Sequence, residues 1–215
     1  MKKKKLTQTM TVASIVLATV SLCLHQQVAA QTTLDDGLTT VISTPQSNRF
    51  EVRDSAAAET TTLEIVAGGT ITALGPLSQA GVRLFDSSVL EVDGGSVLAS
   101  DDGFSRAVVA FDDSTVNLRS GEIRAANDND AVAIDTFDNA VVNVFGGFVG
   151  GGTQAGAAAI QSEDRSIINI FGGVIEGSVA TAGINGAIEL REATTLNLHS
   201  GDIIDAIGSK AKDLG

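Results

Sequence analysis

The chain has 215 residues, 43% of them hydrophobic, 19% charged and 4% aromatic, with 26 acidic against 14 basic side chains and one cysteine. That length accommodates one domain, the apolar fraction excludes wholesale disorder, and beyond the first thirty residues no apolar run approaches the ~18 to 20 residues of a membrane span. Trp and Tyr are absent while Gly reaches 23 and Pro only 2, a composition suited to short strands and tight turns rather than helices.

In chain order, Lys2 to Lys5 form a cationic stretch, Val12 to Leu24 an apolar one, and Val28-Ala29-Ala30 offers small residues for cleavage before Gln31. This is the pattern of a secretory signal peptide over residues 1–30. The apolar run is too short for an anchor, and Leu22 stands before Cys23 where a lipoprotein signal needs a small residue. Cleavage leaves an exported, cysteine-free chain that must hold together by packing and hydrogen bonds alone. Loss of the four lysines also takes the formal charge from −12 to −16. A field of that sign repels nucleic acid and anionic lipid and favours cations, so no nucleic-acid partner is expected.

Residues 34 to 60 fit the repeat only loosely, and 31–48 are expected as an N-terminal cap before a degenerate first coil. Arg49 to Asp54 looks like the strand that later ends at Asp86, with Ser55 to Glu59 as an insertion. From there the chain repeats itself. TLEIVAGGTI, VLEVDGGSV, TVNLRSGEI, VVNVFGGFV, IINIFGGVI and TLNLHSGDI share one pattern, and their second glycines, Gly69, Gly95, Gly121, Gly147, Gly173 and Gly201, are spaced 26, 26, 26, 26 and 28 residues apart. Four aliphatic columns follow the same period: Val82, Val108, Ile134, Ile160 and Ile188; Leu90, Val116, Val142, Ile168 and Leu196; Val92, Leu118, Val144, Ile170 and Leu198; Val97, Ile123, Val149, Ile175 and Ile203. Pairs such as Val116 and Leu118 are two residues apart, the period of a strand with one buried face. Each unit therefore reads as three short strands that cannot bury their apolar face alone. Stacking equivalent strands builds a continuous core. The prediction is an all-β chain, a parallel β-helix (β-solenoid) of about six coils with a 26-residue repeat over residues 49–207, followed by a C-terminal tail over 208–215.

Coils such as Ser166-Ile167-Ile168-Asn169-Ile170-Phe171-Gly172-Gly173-Val174-Ile175 resemble the right-handed parallel β-helix proteins, the pectin-lyase-like and bacterial autotransporter-passenger group. The resemblance covers about residues 50 to 205. It implies a right-handed coil, and it implies either a polysaccharide lyase or glycoside hydrolase or a surface-displayed passenger. Members of the group usually continue into further coils and then a membrane barrel or sorting tail, so this chain is expected to be part of a longer protein, with a membrane role only through such an anchor.

Several columns carry polar or aromatic side chains. Asp86, Asp112, Asp138, Asp164 and Glu192 are expected to accept turn N–H bonds just after a strand. Asn117, Asn143, Asn169 and Asn197, with Glu91 ahead of them, lie between inward positions and are expected to point outward as an amide ladder. Phe85, Phe111 and Phe137 are expected to stack. Asp101 and Asp102 face Asp128 and Asp130 one coil later, flanked by Asn127 and Asn129, a weak candidate set for Ca²⁺ and the only cofactor the sequence suggests. His199 follows Asp93, Arg119, Phe145 and Phe171 in its column and is expected to be exposed.

No GxSxG, HExxH or phosphate loop occurs, the coil lengths leave no long loops for a substrate cleft, and an array of threonines for ice binding is interrupted at Val89, Val141 and Ile167. The expectation is a non-catalytic, exported structural or adhesin-like module at a cell surface. Its alternatives are a polysaccharide lyase or glycoside hydrolase and, third, an ice-binding solenoid. Val141, Phe145, Phe148, Ile167, Phe171 and Val174 are expected to form an outward apolar patch for self-association or for a surface protein or glycan.

Overall fold

In the computed structural model, which describes residues 30–55, 59–72, 80–100, 105–154, 156–178, 186–204 and 207–209, the repeat becomes a stack of parallel strands with no helix among the described residues. Six coils run from Arg49 to Ile204. They comprise β4 (Arg49–Val52), β5 (Thr62–Val66) and β6 (Thr70–Thr72); β7 (Ala80–Leu84) and β8 (Val89–Leu98); β9 (Arg106–Ala110) and β10 (Thr115–Arg124); β11 (Val132–Thr136), β12 (Val141–Val144) and β13 (Phe148–Gly150); β14 (Ala158–Ser162), β15 (Ile167–Ile170) and β16 (Val174–Glu176); and β17 (Ile188–Leu190), β18 (Thr195–Leu198) and β19 (Asp202–Ile204). The signal-peptide segment lies outside the described residues up to residue 29.

The segment expected as a cap is instead a shorter coil. β1 (Gln31–Leu34) pairs with β4, β2 (Thr39–Ile42) with β5 and β3 (Pro45–Gln46) with β6, all in parallel. Gln31 sits on Arg49 and Thr39 on Thr62, spacings below 26 that a search at one fixed period passes over. At the other end, β20 (Ile207–Ser209) pairs with β17, so Gly208 and Ser209 belong to the stack rather than to a tail.

Two sheets result. One takes the first strand of every coil, in the order β1-β4-β7-β9-β11-β14-β17-β20; the other takes the remaining two strands, which β8 and β10 join continuously across a bulge. Register follows the period: Val116 pairs with Leu90 and Val142, and Val142 in turn with Ile168. Because side chains alternate across a strand, this register points every aliphatic column inward. Val82, Val108, Ile134, Ile160, Leu90, Val116, Val142, Ile168, Val92, Leu118, Val144 and Ile170 are fully buried. The columns open only in the last coil, where Leu196 and Ile203 are half-buried and Leu198 is exposed.

The glycine pair turns the chain between the second and third strands. Gly121 has φ +90°, and a Cβ there would collide with the carbonyl oxygen of Gly95 one coil below, so no other residue fits. The first sheet has a second layer of burial. Every residue of β11 and β14 is buried, and Ala107, Ala133, Ala159 and Ala187 join the core beside the Val108 column.

Candidate functional site

The repeated polar columns are ladders between coils. Asp86, Asp112, Asp138 and Asp164 all have φ near +60°, the left-handed region that Asp tolerates because its short side chain bonds locally. The backbone N–H of Asp86 donates to Oδ2 of Asp112 at 3.0 Å, that of Asp112 to Asp138 at 3.2 Å and that of Asp138 to Asp164 at 3.0 Å. Each carboxylate thus satisfies a turn on the coil before it. The Asn column behaves likewise: Nδ2 of Asn117 donates to Glu91 at 2.6 Å, and Asn143, Asn169 and Asn197 each donate to the preceding Asn at 2.8 Å. These side chains face outward and are half-buried apart from the exposed Asn197. Phe85, Phe111 and Phe137 stack with centroids 5.1 and 5.2 Å apart.

The expected apolar patch divides into separate columns. Phe145 and Phe171 stack at 5.1 Å and are 43% and 39% exposed, and the exposed His199 continues the stack at 4.7 Å from Phe171. Val141 pairs with Ile167, and Phe148 with Val174, as neighbours on adjacent coils. The Asn ladder runs between the Val141–Ile167 column and the Phe145–Phe171 column, so a hydrophilic row interrupts the surface that the sequence suggested as continuous. Phe148 is half-buried under the Arg124 guanidinium, 4.5 Å from the ring centroid.

For the acidic loops, Asp101 and Asp102 lie outside the described residues. Asp128 and Asp130 remain, Asp130 with φ +57°, and among the described residues no group of three potential metal ligands gathers.

A site that the sequence did not disclose lies on the outer face of the first sheet. A groove of about 560 Å³ is lined by Arg49, Arg83 and Arg106, by Glu51 and Asp135, and by an apolar floor that includes Val109, Phe111 and Phe137. Glu51 accepts from Arg53 at 2.6 Å and from Gln31 at 3.0 Å. Arg106 donates to Oδ2 of Asp135, whose side chain is fully buried. Burial raises the Asp135 carboxyl above the ordinary carboxylate range, and the Arg106 charge and hydrogen bond only partly offset it. Its second oxygen, Oδ1, is buried and accepts no hydrogen bond. Two coils on, the same column holds Glu189, also buried, which with Glu163 accepts from Arg191. Arg83 lies against the stacked rings, 5.4 Å from the Phe85 centroid and 5.6 Å from that of Phe111. The column that supplies the site reads Arg83, Val109, Asp135, Gln161 and Glu189. It has the right spacing and no repeated chemistry, which is why periodicity did not single it out.

Comparison with known proteins found no match: no family model, no curated protein and no solved structure is similar to this chain at a significant level.

Proposed function

We propose that the chain is an exported, non-catalytic solenoid that acts as a surface-displayed, adhesin-like interaction module. The observation that carries this reading is how its repeated polar groups are used. The Asp carboxylates accept backbone N–H bonds from the neighbouring coil, and the Asn amides bond one another along the axis. Groups so occupied hold the coils together. What stands out from this regular frame is non-repeating: the exposed Phe145–Phe171–His199 stack and the arginine groove. A rigid scaffold with a few irregular surface features suits recognition. Export through residues 1–30 and kinship with the pectin-lyase-like or autotransporter-passenger group are parts of this proposal.

One observation favours the alternative, a polysaccharide lyase or glycoside hydrolase of that group. Asp135 is a buried carboxyl with a raised pKa that lines a groove, as a general acid must. The test has two arms. A polysaccharide panel followed for new reducing ends and unsaturated products is expected to show no turnover; turnover lost in Asp135→Asn would transfer the assignment to an enzyme. Light scattering of wild type is expected to show concentration-dependent association that the double substitution of Phe145→Ser and Phe171→Ser removes. Identical monomeric behaviour of both proteins would leave only a different molecule as partner.

A further inference from the structure

Two arginines stand in the groove without a carboxylate partner among the described residues. Arg49 and Arg83 make no ion pair there, whereas Arg53, Arg106, Arg119, Arg124 and Arg191 all do. The Nε of Arg49 is buried with no hydrogen-bond partner. Arg83 stands opposite Glu51 in the pairing of β4 with β7, but Glu51 is bonded to Arg53 and Gln31 and makes no ion pair with it, so two guanidiniums lining one groove stay open to a negative charge from outside. The three lining guanidiniums outnumber the two lining carboxylates, and both carboxylates are already neutralised, Glu51 by Arg53 and Asp135 by Arg106.

The remaining walls narrow the chemistry. Oδ1 of the fully buried Asp135 lacks a donor, so a ligand that fills the groove should bring an N–H or O–H next to its charge. Phe111 has both ring faces covered, by Phe85 and by Phe137, which leaves its edge for a visitor. An edge carries the positive side of the ring quadrupole; it suits a carboxylate or the face of an aromatic group, and it offers a sugar ring no platform. Val109 adds an apolar floor.

We propose that the groove binds an organic carboxylate with an apolar body and a hydrogen-bond donor beside the charge, such as an N-acyl amino acid or the C-terminal residue of a peptide. Arg49 and Arg83 take the carboxylate, Asp135 Oδ1 accepts the N–H, and the side chain packs on Val109, Phe111 and Phe137. This rests on the interaction-module reading and names what one of its surfaces takes.

Calorimetric titration of the full chain with N-acetyl-L-phenylalanine tests it. Binding is expected, about tenfold weaker for the C-terminal amide, since charge-assisted bonds to the guanidiniums are lost, and weaker for 3-phenylpropionate, which lacks the N–H. Arg83→Ala should weaken the acid about tenfold and leave the amide unchanged, while Arg165→Ala, which removes a guanidinium bonded to Asn139 outside the groove, should change neither. A pentapeptide ending in phenylalanine that binds as well as the acetylated amino acid makes a peptide C-terminus the source; its failure to bind leaves the small acid. Equal affinity for acid and amide, no effect of Arg83→Ala, or no heat with any probe would overturn the proposal, and equal affinity for 3-phenylpropionate would overturn the role of Asp135. Polysaccharide turnover would instead overturn the interaction-module reading and leave these titrations as they stand.

Discussion

Asp135 is where burial and charge meet in this molecule. A carboxyl shut away from water pays desolvation to ionise, and here that penalty exceeds what Arg106 returns. The sign of the consequence follows from proton counting. Because the folded-state pKa lies above the unfolded value, the folded state holds the proton more tightly. Its contribution to stability is full below the unfolded pKa and is lost as pH rises through the folded one. Asp135→Asn cannot ionise, so thermal unfolding of wild type and variant should diverge in the variant's favour as pH rises above about 4, by up to about 1.4 kcal/mol per pH unit until the folded-state pKa is passed. A constant offset between the two proteins across that range would mean that Asp135 has an ordinary pKa. The Asp ladder residues differ in kind, because each lies near the surface and accepts a turn N–H from the neighbouring coil.

Each strand is defined by a two-residue alternation inside a 26-residue period, and the two faces of β15 separate cleanly. Ile168 and Ile170 are fully buried while Ile167, their neighbour, is 37% exposed. Ile168→Asp or Ile170→Asp places an unpaired charge in the core at a cost of several kcal/mol and is expected to abolish the cooperative melt. Ile167→Asp should shift the melting temperature only slightly, and equal damage from inward and outward substitutions, read by circular dichroism, would show the register to be misassigned. This division was legible in the sequence because a repeat samples each position several times: Val116, Val142 and Ile168 agree although any one of them alone is ambiguous. The Asp, Asn and Phe ladders were legible for the same reason. The groove was not. Arg83, Val109 and Asp135 share a column and nothing else, and the pairing of Arg106 with Asp135 across coils is visible only once the strands are stacked. The first coil also escaped, since Gln31 reaches Arg49 by a shorter path than later coils take.

At the scale of the whole molecule, coils contact chiefly their neighbours, so stability is a sum of similar interfaces and the stack should tolerate losing one unit but not part of one. The coil from Val132 to Ala157 spans one period: removing these residues joins Ala131 to Ala158, the register partner of Val132 on the next coil. The ladders then close across the junction, with Asp112 facing Asp164 and Asn117 facing Asn169, and the axis shortens by ~4.8 Å, the spacing of paired strands. Removing Asn169 alone, inside β15, leaves Ile168 and Ile170 adjacent, so that one of two fully buried side chains must face outward. Circular dichroism melting of these two deletions beside wild type tests the stacked 26-residue register most directly. The account predicts a cooperative β-sheet melt for the full-period deletion and none for the deletion of Asn169. If the two deletions behave alike, whether both fold or both fail, the coils are not held by an in-register stack.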